Sequence, residues 1–541
     1  MKKILTILLF FVAFGQLTAQ VDLFEKKVKS QLNIPFQHFD YNTLESQLPD
    51  TIHTALKPLR YDELPSNIIL NQYQSLLLPK KTWLGRKIFN EHLFAITGPD
   101  YWLSIDPVID WRLGKDNLTN SYVYQNTRAV RVEGALGKKF SFSSTIAENY
   151  AKFPAFFDRY AWTTTPHIVP GYGLNKSEKP GYVDYPYAAG YMGYKPSKFF
   201  FFELGHGKHF IGEGYRSLFL SDNAPNYPYF KVETKFWHVK FTTMWTAFQD
   251  LRPEYEQNGV YRKKFSAIHY LSWNTTKNLN LGFFESVIWY NENRRGFDVN
   301  FLNPLIFFKT AEYEAGSDAS NTVLGLSARY RLPYKIDVYG QFLLDEMVVS
   351  KFFNEPDYWT NKYAYQLGVK YHQAFSIPNL FLRLEYNLVR PYTYAHNTVT
   401  NYGHDYQSLA HPWGANFKEL LFEAQYQHKR WFVHNITSTG KKGFDFPNDP
   451  VAYGGDIYHY IRPEDKGSSK TLLQGNLGQL FFNKFEAGYI LNPATKLKVF
   501  GGMIYRQTKI DVETDVVKNE TSKYIYLGIK THLWNDHFDV F

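Results

Sequence analysis

A glycine-rich polar segment, Glu203–Arg216, holds the densest group of reactive side chains in this sequence. Its four glycines allow close backbone approach to a ligand or positive φ angles. The side chains that could bind a ligand or a metal ion are His206, Lys208, His209, Glu213 and Arg216. The alternative is a loop folded into a lumen, with Lys208 and Arg216 paired to carboxylates. A phosphate loop is excluded, because the Gly-Lys-Ser/Thr ending is missing.

A second group of candidate residues lies between Arg390 and Trp413. Its side chains are Tyr392, Tyr394, His396, His404, Asp405, His411 and Trp413. Three histidines and an aspartate could hold a metal ion, but spacings of eight and seven residues in a loop are not specific for one. Aromatic rings stack on sugar faces and amides bond sugar hydroxyls, so a carbohydrate contact is the second interpretation. Ordinary loop packing is the third.

Carboxylates that could form a glycosidase pair follow Asn303-Pro304, at Glu312, Glu314 and Asp318. Nothing in the sequence fixes their separation, on which that chemistry depends. We therefore predict no enzyme, no catalytic residue, no metal site and no cofactor.

The composition narrows the classes of protein that could position these residues. The chain has 541 residues, 18% of them aromatic, no cysteine and a net charge of +9. The aromatic content excludes disorder, and the missing cysteine excludes a disulfide scaffold, a thiol nucleophile and a lipoprotein anchor. Past the N-terminal leader there is no apolar run of about 20 residues, so a bundle of membrane helices is excluded.

The N-terminus predicts export. A basic start, the apolar run Ile4–Phe14 and a cleavage point after Ala19 predict a signal peptide over residues 1–19. Its loss removes Lys2 and Lys3 and takes the charge from +9 to +7, too little to favour nucleic-acid binding. Helical spacing recurs over residues 20–97, for which we predict a small helical periplasmic region.

From about residue 98 to 541 the hydrophobic period changes to two. The clearest runs are Leu324–Leu332, Tyr363–His372 and Leu380–Leu388, each with one apolar and one polar face. A soluble sheet could show this alternation. Three features favour a transmembrane barrel instead. The polar faces contain charges, aromatic residues flank the apolar faces, and the strand runs are nine or ten residues long. The length accommodates about 16–20 strands. The alternating run Tyr524–Trp534 and the final Phe541 predict an aromatic closing strand of the kind that the barrel-assembly machinery recognises.

Several segments together resemble a known family. They are the Gly-His-Gly-Lys run and its continuation to Tyr229, Arg295–Leu305, Gly340–Glu346, Arg390–His396 and Leu409–Asn416. The similarity spans roughly residues 85–430. It resembles the RemB gliding-motility proteins of Bacteroidetes, relatives of the Wzi capsule-assembly family. The resemblance implies an outer-membrane β-barrel of about 18 strands that holds surface polysaccharide as a lectin and not as an enzyme, or takes part in gliding.

These observations lead to one principal hypothesis, a non-enzymatic outer-membrane barrel that binds or organises capsule or exopolysaccharide, supports gliding motility, or both. The alternative is a porin or transporter for small solutes. The expected partners are outer-membrane lipid, surface polysaccharide, gliding-machinery proteins and the barrel-assembly machinery. The predicted binding face is formed by extracellular loops, with His206, Lys208, Arg216, Tyr392, His396 and Trp413 as its residues.

Overall fold

A computed structural model describes residues 19–177, 180–290, 299–303, 320–397, 399–446, 449–461, 470–510 and 519–541. The predicted signal peptide, except its last residue, lies outside the described residues. So do most of the segment 295–305 and the carboxylates of Glu312, Glu314 and Asp318.

In the described part of the chain, eighteen antiparallel strands close into a barrel. They are β1 Tyr101–Asp116, β2 Val123–Leu136, β3 Phe140–Lys152, β4 Val183–Tyr194, β5 Phe200–Gly207, β6 Tyr227–Phe236, β7 Val239–Asp250, β8 Arg262–Asn274, β9 Leu279–Tyr290, β10 Ser320–Leu332, β11 Ile336–Glu346, β12 Lys362–His372, β13 Leu380–Val389, β14 Phe417–His428, β15 Trp431–Phe444, β16 Asn476–Asn492, β17 Leu497–Ile510 and β18 Asn519–Thr531. β1 pairs with β2 and with β18, which closes the ring. A short strand, Phe94–Thr97, pairs with the start of β1. The predicted barrel is confirmed.

The alternating sequence explains which face of each strand points into the lumen. On β13, Leu384 is 51% exposed on the exterior, whereas its neighbours Arg383 and Glu385 are buried inside. A soluble barrel would have the opposite arrangement; an apolar exterior around a polar interior is typical of transmembrane barrels. Exposed aromatic side chains mark the strand ends at one rim: Tyr101, Tyr194, Phe236, Trp273, Tyr330 and Trp431.

The two rims differ in their connections. Short turns at the aromatic rim include residues 137–139 and 429–430. Long loops at the other rim include residues 153–182, 208–226, 390–416 and 445–475. In outer-membrane barrels the short turns are periplasmic and the long loops extracellular, and we use these names for the two rims.

The part of the chain that the structure describes contains few helices, and the four before β1 confirm a helical N-terminal region. They are α1 Ala19–Val28, α2 His38–Glu45, α3 Ser66–Ser75, α4 Trp83–Phe89, α5 Ala155–Thr163 and α6 Val349–Asn354. Single 3₁₀ turns occur at Tyr61–Glu63, Pro253–Tyr255, Val299–Leu302, Pro333–Lys335 and Ala374–Ser376. No helix within the described ranges is long and apolar enough to span a bilayer.

The lumen is filled by segments of the chain itself. The N-terminal two-residue strand Leu56–Lys57 pairs with Phe210–Ile211, from the inward-folded loop 208–226. All four residues are buried. Polar wall residues hold these segments, as where Lys370 on β12 binds Glu45 of α2 at 2.9 Å and Glu213 of the loop at 2.8 Å. Two more two-residue hairpins, Ile168–Val169 with Gly173–Leu174 and Gly403–His404 with Gln407–Ser408, lie in the long loops.

The C-terminus differs from the sequence-based prediction. β18 ends at Thr531, and residues 532–541, which we call the C-terminal tail, run inside the barrel. Phe541 packs edge-on against Trp413, with ring centroids 5.0 Å apart. The closing strand predicted from the run Tyr524–Trp534 is confirmed as β18, which pairs with β1, but Phe541 is not part of that strand. The physical reason is that Asp536 in the tail pairs with the lumen-facing Arg112 at 2.8 Å, which draws the tail inward.

Candidate functional site

A cleft of about 550 Å³ opens at the extracellular rim. Its walls come from α5 and the loop after it, from the loop 390–416, from the loop 445–475 and from the C-terminal tail. The cleft lies above the filled lumen. It therefore faces the outside of the cell.

Aromatic rings form much of the lining. Tyr160, Tyr406 and Tyr458 are half-buried, and Trp413 and Phe541 lie among them. The rings of Tyr406 and Tyr458 are 5.5 Å apart. The hydroxyl of Tyr406 donates to the carbonyl of Thr165 at 3.0 Å, which fixes the ring while leaving part of it accessible. Such rings provide flat apolar surfaces with a polar edge.

Positive side chains lie beside the rings. Arg159, with a side chain 44% exposed, binds Glu520 at 2.6 Å. The guanidinium of Arg506 lies 5.0 Å from the ring of Phe156, and the ammonium of Lys442 donates to the carbonyl of Trp413. Cations next to aromatic rings can bind hydroxyls and carboxylates of a ligand while the rings contact its apolar faces.

The floor of the cleft is fixed by the buried Trp413. Its indole Nε1 donates to the carbonyl of Asp539 at 3.0 Å, so the loop 390–416 and the tail hold each other. Gly440 on β15 lies directly behind the indole, where a Cβ atom would be 2.6 Å from the ring. A larger residue at position 440 would push Trp413 out of place.

The six predicted binding residues do not share one exposed face. His206 is exposed at the end of β5, with Nδ1 3.0 Å from the carbonyl of Ala188. Lys208 lies inside the lumen, where its ammonium donates to the carbonyls of Gly171 and Asp222 at 2.6 and 2.9 Å. Both residues line a smaller cavity of about 140 Å³, but neither lines the extracellular cleft.

The other four predicted residues lie in the lumen and the extracellular loops. Arg216 is buried between Glu419 and Asp539, at 2.9 and 2.8 Å. Tyr392 is 1% exposed, and its hydroxyl donates to the carbonyl of Ala452 at 2.8 Å. His396 is half-buried, with Nδ1 2.6 Å from the hydroxyl of Thr400. Of the six, only Trp413 lines the cleft. Arg216 follows the alternative interpretation of this segment, since it pairs with carboxylates inside the lumen, whereas Lys208 donates to backbone carbonyls instead.

The histidine clusters are dispersed in a similar way. His209 is buried, with Nε2 3.8 Å from Glu203, whereas Glu213 binds Lys370 on the other side of the lumen. His411 binds Glu419 at 2.7 Å, away from His404 beside Asp405. Across the ranges that the structure describes, no three His, Asp or Glu side chains are arranged to hold a metal ion.

Sequence reasoning missed Arg159, Tyr406 and Tyr458 as members of one cleft. The sequence shows all three in polar, aromatic segments outside the strands, which is the signal that was available. Their proximity depends on three separate loops and on the tail turning inward, which no local pattern in the sequence encodes.

Comparisons with known proteins agree with this architecture. The model of the family described as Capsule assembly protein Wzi matches residues 119–433, more than half of the chain. No curated protein matches the sequence significantly. Among solved structures, the chain resembles Wzi of Escherichia coli, described as an outer-membrane protein involved in group 1 capsule assembly and a carbohydrate-binding β-barrel. The TM-score is 0.55 and the identity 11%, covering 92% of this chain and 99% of that one.

Two further solved structures are more distant. OprD of Pseudomonas aeruginosa has a TM-score of 0.41 and 10% identity, covering 79% of this chain and 94% of its own. OccAB2 of Acinetobacter baumannii has a TM-score of 0.42 and 10% identity, covering 79% and 97%. Neither likeness is close enough to carry an inference about this chain.

The fold and the family match together place the protein. A closed barrel with an apolar exterior, an aromatic rim and a polar interior is a protein of the bacterial outer membrane. The family match runs from the loop between β1 and β2 to the start of β15. The chain belongs to the Wzi family of capsule assembly proteins.

Proposed function

We propose that this protein is a non-enzymatic outer-membrane barrel that binds surface polysaccharide, of capsule or exopolysaccharide type, in the extracellular cleft. The observation that carries the proposal is the set of half-buried tyrosine rings, Tyr160, Tyr406 and Tyr458, next to cationic side chains in a cleft of about 550 Å³. The description of the Escherichia coli relative as a carbohydrate-binding barrel supports it.

The chemistry of the cleft suits a glycan. Pyranose rings have apolar faces that stack on aromatic side chains, and their hydroxyls need hydrogen-bond partners. Arg159 and Lys442, which line the cleft, can donate hydrogen bonds to these hydroxyls. A binding role needs no reacting group, in keeping with a protein that is not an enzyme.

The filled lumen favours binding over transport of small solutes. Leu56–Lys57, Phe210–Ile211 and the C-terminal tail occupy the interior that a porin leaves open. The porin alternative predicts steady ion conductance in planar bilayers, and we expect the wild-type protein to give none.

The proposal is tested by measuring the affinity of detergent-folded protein for the extracellular polysaccharide of its own organism. The double substitution Tyr406→Ala and Tyr458→Ala is expected to weaken saturable binding at least tenfold. Tyr334→Ala is the matched control, because that tyrosine is 85% exposed in a periplasmic turn. Equal binding by the wild type and the double variant would refute the cleft as the binding site.

A part in gliding motility, with proteins of a gliding machinery as partners, stays a prediction from the sequence resemblance. The spreading of a deletion strain on soft agar checks it. Two further proposals come from the sequence alone. A signal peptide over residues 1–19 is checked by N-terminal sequencing of the exported protein. A boundary near residue 97 between the helical region and the barrel is checked by limited proteolysis.

A further inference from the structure

A second cavity, of about 160 Å³, lies at the opposite, periplasmic rim. It is enclosed by the N-terminal helices α1 to α3 on one side and by the barrel wall on the other. The lining is mostly apolar, with side chains of Phe24, Ile34, Phe39, Leu44, Ile69, Leu76, Phe432 and Ile490. Such a lining favours an apolar occupant.

One charged side chain, Lys498, faces this apolar space. It lies at the start of β17 and is 7% exposed. Within the described residues, no hydrogen bond or ion pair reaches its ammonium, which lies 4.8 Å from the ring of Phe432 and 5.4 Å from that of Phe500. The Glu486 carboxylate acts on it only at longer range.

Three lysines near Lys498 are paired within the described residues. Lys484 binds Glu486 at 2.8 Å, Lys530 binds Asp536 at 2.8 Å, and Lys496 binds Asp40 at 2.6 Å. These pairs occupy the carboxylates that could have reached Lys498. A buried cation without a partner costs free energy that a bound anion would recover.

His532 adds a neutral polar group to the same lining. Burial, together with the nearby cations, holds the pKa of this imidazole well below its usual range. The ring is therefore uncharged at neutral pH and can donate or accept one hydrogen bond. The polar end of the cavity thus has the Lys498 amine, which has no hydrogen-bond or ion-pair partner in the described residues, and one adaptable hydrogen-bonding group.

From these contacts we propose that the periplasmic cavity binds an amphiphile with one apolar chain and an anionic headgroup, whose anion pairs with Lys498. Among the lining residues, Gln72, Pro493 and the Lys496–Asp40 pair are partly exposed, and we place the entrance there. The amphiphile enters there with its chain among the phenylalanines. Fatty-acid carboxylates and single-chain lipid phosphates share this chemistry.

The test uses the full-length protein in nanodiscs of zwitterionic lipid, with empty nanodiscs as the blank. Binding of decanoate is measured by calorimetry below its micelle concentration. We expect saturable binding that Lys498→Met weakens at least tenfold. Lys26→Met is the matched control, because that lysine lies on α1 outside the cavity lining and is paired with Asp22 at 3.2 Å, and we expect it to bind decanoate within threefold of the wild type.

Two further probes separate the contribution of the apolar chain to binding from that of the charged headgroup. Decanol has the same chain without the charge, so it should bind the wild type and Lys498→Met equally and weakly. The affinities of the wild-type protein for decyl phosphate and for decanoate show whether the cavity prefers a lipid phosphate or a fatty-acid carboxylate. Without any amphiphile, Lys498→Met should melt at the same or a higher temperature than the wild type, because it removes an unpaired buried charge.

The proposal is overturned if decanoate and decyl phosphate both fail to saturate, or if Lys498→Met binds them as tightly as the wild type while remaining folded. Its failure would leave the polysaccharide proposal intact, because the extracellular cleft lies at the other rim and shares none of these residues.

Discussion

Arg216, in the inward-folded loop between β5 and β6, forms an ion pair with Asp539 in the C-terminal tail, with Nη1 and Oδ2 2.8 Å apart. The same guanidinium binds Glu419 on β14 at 2.9 Å. One buried arginine therefore joins a loop, the tail and the wall. Because the carbonyl of Asp539 accepts the indole hydrogen of Trp413, the same contacts support the floor of the extracellular cleft.

Arg216→Met is expected to lower the free energy of unfolding by roughly 3–5 kcal/mol, because two buried carboxylates lose their cation. Guanidinium unfolding followed by tryptophan fluorescence in detergent measures the loss. The tail should also become cleavable near Asp536 in limited proteolysis.

The control for that variant is Lys351→Met. Lys351 pairs with Glu355 at 2.5 Å, but both side chains are well exposed, at 38% and 48%. Exposed pairs contribute about 0–1 kcal/mol, so this variant should unfold close to the wild type. A similar small loss in Arg216→Met would contradict the role assigned to the buried pairs.

Gly214→Ala is expected to open the lumen. A Cβ atom at Gly214 would lie 2.3 Å from Oε2 of Glu385, the carboxylate that accepts the backbone N–H groups of Tyr215 and Arg216. The loop would have to leave this carboxylate. We expect channel openings in planar bilayers that the wild type lacks.

Gly207→Ala provides the comparison, because a Cβ there would meet only the ring of Tyr229, at 3.7 Å. It should stay as silent as the wild type. A silent, folded Gly214→Ala would show that the loop can rearrange without opening a path.

Much of the wall could be predicted from the sequence, because strand alternation is a local property. Lys370 and Leu367 on β12 fall on opposite faces by their position alone. The partners of the inward charges could not be predicted in this way. Lys370 binds Glu45 and Glu213, both far away in the sequence, and only the folded lumen brings them together.

The binding site was harder to predict, because residue type alone does not separate a lumen loop from an exposed one. Arg216 and Trp413 have side chains typical of binding sites, yet both are buried and fix the tail. Tyr458 lies in a loop that the sequence marks only as long. Its exposure depends on how three loops pack at the rim.

His411→Gln is expected to reduce the loss of stability in acid. Burial lowers the pKa of His411 to about 4, although the nearby Glu419 carboxylate acts in the opposite direction and raises it. Its Nδ1 accepts from the backbone N–H of Trp413 at 3.1 Å, which protonation would break. The unfolded chain takes up this proton first, near pH 6.5. The free energy of unfolding that depends on the neutral His411 ring is therefore fully present above pH 6.5. It is lost as the pH falls towards 4, and the total loss is about 3 kcal/mol.

The measurement for His411 is the unfolding free energy at pH 7, 5.5 and 4.5. Glutamine keeps a hydrogen-bond donor for Glu419 but does not titrate. The wild type should lose more stability than the variant over this interval, and parallel curves would contradict the assignment.

The His459–Asp445 pair is expected to make the cleft sensitive to alkaline pH. The imidazole Nδ1 lies 2.7 Å from Oδ2 of Asp445, which lines the cleft. This hydrogen bond raises the pKa of His459. Because the pKa is raised in the folded protein, the stabilisation from the His459–Asp445 pair is fully present below the unfolded pKa near 6.5. This stabilisation is lost as the pH rises through the higher pKa of the folded state.

An NMR titration of the His459 ring should therefore show a midpoint above 6.5 in the wild type and a lower one in Asp445→Asn. Because Asp445 begins the loop that contains Tyr458, polysaccharide affinity should fall over the same pH interval in the wild type. Asp445→Asn should bind with little change across it. A pH-dependent affinity that persists in Asp445→Asn would assign the effect to another group, since this variant removes the carboxylate on which the raised pKa depends.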